Sequence, residues 1–345
     1  EIIKSNPARA GFFMSYTFPK IELHLHIDCS LSFQFVSKYV PGISIQEYQA
    51  VYNTPVNCCS LNDYLACAQA AILLMQTKEQ LVDATLDVIH QLEADHVIYA
   101  ELRFAPLQHL TNGLTPEEVV EASIEAIQSY AGPVKVNLIL CTLRHFTKEQ
   151  SELTADLVIK YAERGVVGLD LAADEAGYGL ENHQEAFKRV NRRGICCTAH
   201  AGEARGADSV METLSLLHVK RIGHGIRSTE DLALLERLKQ ENIHLEICPT
   251  SNHITRVFPE LTTYPINHLL KNRNSFGINT DGRAISNVTL DDEYRWLEET
   301  KGWDINDMLY VNEQALAAAF ISDREKEILR ITLHEGFKSF IDSLS

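Results

Sequence analysis

Eight short runs, each opening in apolar residues, recur along the chain with helical stretches between them. That alternation limits the fold more than any other feature. The runs are "KIELHLHID" (20–28), "VIYAELRFAP" (97–106), "VKVNLILCTLR" (134–144), "VVGLDLAADE" (166–175), "GICCTAHAGE" (194–203), "RIGHGIR" (221–227), "IHLEICPTSN" (243–252) and "SFGINTDGR" (275–283). Nearly continuous apolar character is what strands buried on both faces require. Helix signals fall between them. Thr115 is placed as an N-cap, Pro116 as first helical residue and Glu118 as the closing member of a capping box. Thr147 and Gln150 repeat the device, and Gly165 suits the C-terminal stop. "STEDLALLERLKQEN" reads as an amphipathic helix after the sixth run. Residues 29–96 are too many for one crossover and predict several helices, including "SLNDYLACAQAAILL", and a helical tail is expected beyond residue 304. Eight βα units in 345 residues predict an α/β fold, a (β/α)8 TIM barrel with additional helices after strand one and at the C-terminus. The alternative, a doubly wound sheet, usually carries a glycine-rich phosphate loop after its first strand, and "HLHIDCS" is no such loop. Residues 1–13 precede Met14 and are set aside as an N-terminal extension, leaving 14–345 as one barrel domain.

Charge narrows the partners. A formal net charge of −16 argues against nucleic acid and anionic membranes, and favours a neutral or weakly charged small molecule. No apolar run approaches the roughly 20 residues of a membrane span. The eight cysteines (Cys29, Cys58, Cys59, Cys67, Cys141, Cys196, Cys197 and Cys248) contain no C-x-x-C pair. They read as buried reduced thiols, an expectation that fits the cytoplasm.

In a barrel the C-terminal strand ends form the active face, and the unusual polar residues of this sequence collect there. His24, His26 and Asp28 alternate at the end of the first strand, so an extended backbone points all three one way. His200 and Glu203 end the fifth strand, His224 lies between two glycines in the sixth, and Asp281 ends the eighth. Singly each has a bland reading: a satisfied core histidine, an acid in the first turn of a helix, a packing residue, or an Asp-Gly turn. Together they would bury imidazoles and carboxylates from four strands at one mouth, which is costly without a cation. Nitrogen ligands with one carboxylate favour zinc. His24, His26, His200 and Asp281 are the expected ligands of one ion per chain, because strand four offers Asp170 and no lysine to bridge a second.

"PKIELHLHID", "LDLAADE", "HAGE", "RIGHG", "CPTSN" and "NTD" together resemble the adenosine deaminase family, in its order, across roughly residues 18–335. The resemblance implies a zinc-dependent aminohydrolase that converts adenosine or 2′-deoxyadenosine to the inosine product and ammonia, in purine salvage. It implies Glu203 as proton donor to the ring, His224 and Asp281 as groups that orient the attacking water, and Asp28 as a ribose contact. His26, Leu61, Tyr64 and Leu65 are expected along the substrate. Three positions depart from the family. Cys29 follows Asp28 where glycine is common, and Ala173 replaces a glycine whose N–H meets purine N3. Gly282 stands where Asp or Asn commonly bonds N7, a gap that water or Arg283 is expected to fill. These departures keep open a deaminase of adenine or of a modified adenine nucleoside. A catalytically silent binding barrel and a metal-dependent ester or amide hydrolase are the remaining alternatives.

Overall fold

All eight expected strands form: β1 (Lys20–His26), β2 (Val97–Phe104), β3 (Lys135–Leu143), β4 (Val166–Ala172), β5 (Cys196–Ala201), β6 (Arg221–His224), β7 (His244–Ile247) and β8 (Phe276–Ile278). The computed structural model describes residues 16–54, 61–258 and 260–344, with the side chains of 61–63 and 261 outside the description. The extension at 1–13, Cys58, Cys59 and the side chain of Leu61 therefore lie outside the described residues. The strands follow one another in sequence order and every neighbouring pair is parallel. Closure comes from residue 281: His26 N donates to Asp281 O at 2.7 Å and Asp281 N donates to His24 O at 3.1 Å. Asn279 reinforces this seam, its Oδ1 accepting from Leu23 N at 2.8 Å and His24 N at 3.0 Å.

The helices start where their caps predict. Thr115 and Glu118 form a reciprocal box at helix Pro116–Ser129, as Thr147 and Gln150 do at Lys148–Tyr161. The helix after β6 begins later than expected, at Leu232 with Asp231 as N-cap, because Ile226–Glu230 coils as a 3-10 turn. The long segment after β1 holds helices Phe33–Tyr39, Ile45–Tyr52, Leu61–Leu73 and Lys78–Ala94, and the tail holds Ile305–Ala318 and Asp323–Ser343.

Apolar strand residues such as Leu23, Leu25, Leu138, Leu140 and Leu245 are fully buried in the main hydrophobic core. The barrel interior is ionic instead. Arg103 on β2 reaches Asp170 on β4 at 3.1 Å and Glu246 on β7 at 2.8 Å, and Arg221 on β6 meets Glu101 on β2 at 2.6 Å and Glu246 at 2.7 Å. Three of these four pairs join strands that are not neighbours, so they span the inside of the barrel; Arg221–Glu246 links the adjacent β6 and β7. Each charge has an opposite partner, which offsets the desolvation that an isolated buried ion would suffer.

Several strands stop earlier than their sequence runs. β4 ends at Ala172, β6 at His224, β7 at Ile247 and β8 at Ile278. "CPTSN" does not extend β7 but begins helix Pro249–Ile254, where Pro249 suits the first helical position. Asp28 is likewise not on β1. It sits in the 3-10 turn Ile27–Cys29, so strand alternation does not place it. The thiols also divide: Cys29, Cys141, Cys197 and Cys248 are buried, Cys67 is intermediate, and Cys196, the first residue of β5, is exposed.

Candidate active site

At the C-terminal mouth β1 brings up His24 and His26, β5 brings His200, and the segment after β8 brings Asp281, bridged to Leu25 of β1. Asp281 Oδ1 lies 3.3 Å from His24 Nε2 and 3.5 Å from His26 Nε2, while His26 Nε2 and His200 Nε2 are 3.2 Å apart. Donor atoms of His24, His200, His224 and Asp281 all lie within 4.8 Å of one another. His26 falls in a second such group, with Asp170 and His200, so the two groups share His200.

The outer partners of the imidazoles decide which nitrogen faces inward. His24 Nδ1 is 2.8 Å from the Glu246 carboxylate, and His200 Nδ1 is 3.2 Å from Asp170. A carboxylate accepts only, so each Nδ1 carries a proton, and when the imidazole is neutral each Nε2 presents a lone pair inward. His24 Nε2 is buried with no hydrogen-bond partner. Inward lone pairs beside a carboxylate are the donor set a divalent cation satisfies. His224 is built the other way. Tyr264 Oη donates to Asn252 Oδ1 at 2.9 Å, and the Asn252 amide donates to His224 Nδ1 at 3.0 Å. An Nδ1 that accepts leaves the proton on Nε2, which makes His224 a donor into the site rather than a ligand. Burial holds both His26 and His224 well below the usual imidazole range.

Glu203 follows β5 and is 3% exposed, with its Oε2 3.6 Å from His224 Nε2. Its carboxyl is pushed well above the usual range, first by burial and then by the Asp281 and Glu175 carboxylates. Glu175 fixes the turn that carries it. Glu175 Oε1 accepts from Gly202 N at 2.7 Å and Ser209 Oγ at 2.6 Å, and Oε2 accepts from Glu203 N at 3.0 Å and Arg205 N at 2.9 Å. Ser251 Oγ donates to Asp281 Oδ2 at 2.7 Å. The sequence by itself assigns no part to Glu175, Glu246, Ser251 or Asn252, and it offers Asp170 only as a possible metal bridge. Three non-glycine residues at the mouth, Ala173, His224 and Asp281, have φ of 75°, 59° and 63°. Such strained backbone gathers at functional sites, where the surrounding structure holds it in place.

A cavity of about 390 Å³ opens beside the imidazoles. His26, Asp28, Tyr64, Leu65, Ala173, His200, Glu203, His224 and Asp281, all expected at the site, line it. His24 and Gly282 lie just behind the lining: His24 is fully buried, and Gly282 is packed against Cys29 and Tyr64. Asp28 reaches the cavity through its turn, and burial, with Asp281 adding, pushes its carboxyl up to about 7. Arg283 does not fill the gap at Gly282. Its guanidinium is held by Glu22 at 2.7 Å and Asp95 at 2.9 Å. A larger cavity, about 810 Å³, lies at the strand starts, lined by Val166, Lys220 and Ser275, and holds none of these residues.

A parallel barrel with buried imidazoles and carboxylates at its C-terminal mouth, and a cavity beside them, is the arrangement of an enzyme active site. The family profile described as Adenosine deaminase matches residues 19–335. An adenosine deaminase of Haemophilus ducreyi is 33% identical over 335 residues, covering 93% of this chain and 97% of that protein. One of Clostridium acetobutylicum is 34% identical over 317 residues, covering 89% of this chain and 95% of that protein. The crystal structure of an adenine deaminase from Arthrobacter aurescens superposes with a TM-score of 0.84 at 25% identity, covering 94% of this chain and 99% of that one. The chain belongs to the adenosine deaminase family and is an aminohydrolase.

Proposed function

We propose that this enzyme deaminates adenosine and 2′-deoxyadenosine hydrolytically, using one zinc ion held by His24, His26, His200 and Asp281. The observation that carries the reading is the pair of inward Nε2 lone pairs, fixed by Glu246 and Asp170, beside a buried Glu203. When bound, zinc supplies a water acidic enough to ionise near pH 7. The chain's own residues do the rest. His224 and Asp281 hold the water toward C6 of the purine, with Ser251 steadying the Asp281 carboxylate. Glu203, kept protonated by burial, gives its proton to N1, which lowers the barrier to attack on the aromatic ring. Positioned acid catalysis of this kind is worth about 100- to 10,000-fold. Proton return and loss of ammonia from C6 complete the turnover.

The cavity lining selects the sugar end. It includes Asp28 and Asp174 and, among the described residues, no lysine or arginine. A lining with carboxyl groups and no countercharge favours an uncharged nucleoside over a nucleotide. Gly282 and Ala173 favour a second reading, in which adenine or a modified adenine nucleoside is the preferred substrate. Purine salvage in the cytoplasm is the setting that suits either reading. Ammonia release from adenosine, 2′-deoxyadenosine, adenine, a 5′-modified adenosine and AMP, measured on protein assayed for zinc, decides between them. Turnover of adenine or AMP without turnover of adenosine would overturn the first reading.

A further inference from the structure

We infer that Cys29, Tyr64 and Gly282 form one base-recognition unit, in which the Tyr64 hydroxyl takes the place of a side chain at 282 as hydrogen-bond partner of the purine N7. The inference rests on the adenosine reading of the cavity and adds a specificity residue to it.

Gly282 is not there for its backbone freedom. Its φ is −137°, extended and open to any residue. Space is the constraint. A Cβ at 282 would stand 2.6 Å from Cys29 Cβ, 2.7 Å from Tyr64 Oη and 3.1 Å from the Cys29 carbonyl oxygen. Cβ and carbonyl atoms move only with the backbone, so this crowding is not relieved by a rotamer change. The two departures at 29 and 282 are therefore one change. A side chain after Asp28 occupies the volume that a side chain after Asp281 would need.

What fills the place of the missing polar group is Tyr64. It is 3% exposed and, with Asp281 and Glu203, lines the cavity. Its Oη lies 3.2 Å from Ser286 Oγ, a hydroxyl that can donate to it. Ser251 also meets this hydroxyl, and its own hydrogen goes to Asp281 Oδ2. A phenol that accepts from Ser286 therefore has one hydrogen to give, to Ser251 Oγ or, in its place, to a bound acceptor. N7 of a neutral purine is such an acceptor, and a neutral hydroxyl donates to it without first having to bind a proton, as a carboxylate would. Arg283 is committed to Glu22 and Asp95 and does not compete.

The test compares binding of purine riboside and 7-deazapurine riboside, by calorimetry, to the zinc-loaded wild type and to Tyr64→Phe. The variant keeps the ring and removes only the hydroxyl. Purine riboside is expected to bind about 5- to 10-fold more weakly to the variant, and the 7-deaza analogue, which has no N7, equally to both. Equal weakening of the two ligands, or of neither, overturns the inference. Gly282→Asp checks the steric half: alone it is expected to lower the unfolding midpoint, and Cys29→Gly in the same chain to restore it. An undiminished midpoint for Gly282→Asp alone would show that the space is not limiting. Wild-type ammonia release from adenosine is scored separately, so a failed substrate assignment is distinguishable from a failed contact.

Discussion

Replacing Glu175 by Gln removes one charge and changes one oxygen to an amide, with little change in volume. In the native site two donors meet each carboxylate oxygen: Gly202 N and Ser209 Oγ on one, Glu203 N and Arg205 N on the other. The glutamine oxygen is best kept toward Glu203 and Arg205, because both of those donors are backbone amides. The new NH2 then faces the Ser209 hydroxyl, which can turn to accept, and Gly202 N–H, which cannot. One buried N–H is left without a partner, at about 1–3 kcal/mol. Two further bonds lose their charge assistance, so the whole change should destabilise by about 2–4 kcal/mol. The charge has a second effect. The Glu175 carboxylate is among the groups that raise the Glu203 carboxyl, so its removal lowers it. An acid that must be protonated then loses its proton earlier, and the alkaline fall of kcat moves to lower pH. Urea unfolding and a kcat–pH profile on zinc-loaded Glu175→Gln measure both. An unchanged unfolding midpoint would refute the hydrogen-bond count, and an unmoved alkaline fall would refute the electrostatic link to Glu203.

Glu203→Gln should leave zinc content unchanged while kcat falls about 100- to 10,000-fold, since only the proton donor is lost; turnover near the wild-type rate contradicts the assignment. Glu246→Gln should weaken zinc binding about 10- to 100-fold, read by competition with a chelator, because His24 and Arg103 share one carboxylate oxygen and Thr198 and Arg221 the other, so an amide loses the charge and turns an NH2 toward donors on one side. Glu293 is fully buried, and burial pushes its carboxyl up to about 8. Its folded form holds a proton that the unfolded chain releases near 4.5, so its contribution to stability is full below that pH and is lost as pH rises toward 8. The slope is at most about 1.4 kcal/mol per pH unit. Thermal unfolding of wild type and Glu293→Gln from pH 5 to 8 should show the wild type losing ground to the variant; parallel curves would contradict this.

The strand starts were legible because burial on both faces writes a continuous apolar run. The strand ends were not, because the polar residues of the mouth continue the run while the chain is already turning. At Ala173, His224 and Asp281 the turn is made by left-handed backbone at residues other than glycine, which leaves no composition signal. The histidine spacing at 24 and 26 was visible because two residues on one strand share a face. The parts of Asp170 and Glu246 were not visible, since a lone acid in an apolar strand does not name its partner. "CPTSN" stands out as a motif, but only the helix it begins shows that Ser251 steadies Asp281 and Asn252 steadies His224.

The peptide of Asp281 is hydrogen-bonded to the peptides of His24 and His26, so the line along which the barrel shuts runs through the backbone of the residues that carry the donor atoms. Any loosening of that line separates the first and last strands and spreads the donors in the same movement. Asn279, which staples the line from behind without reaching the cavity, is thus a place where a purely architectural substitution would be felt as lost chemistry.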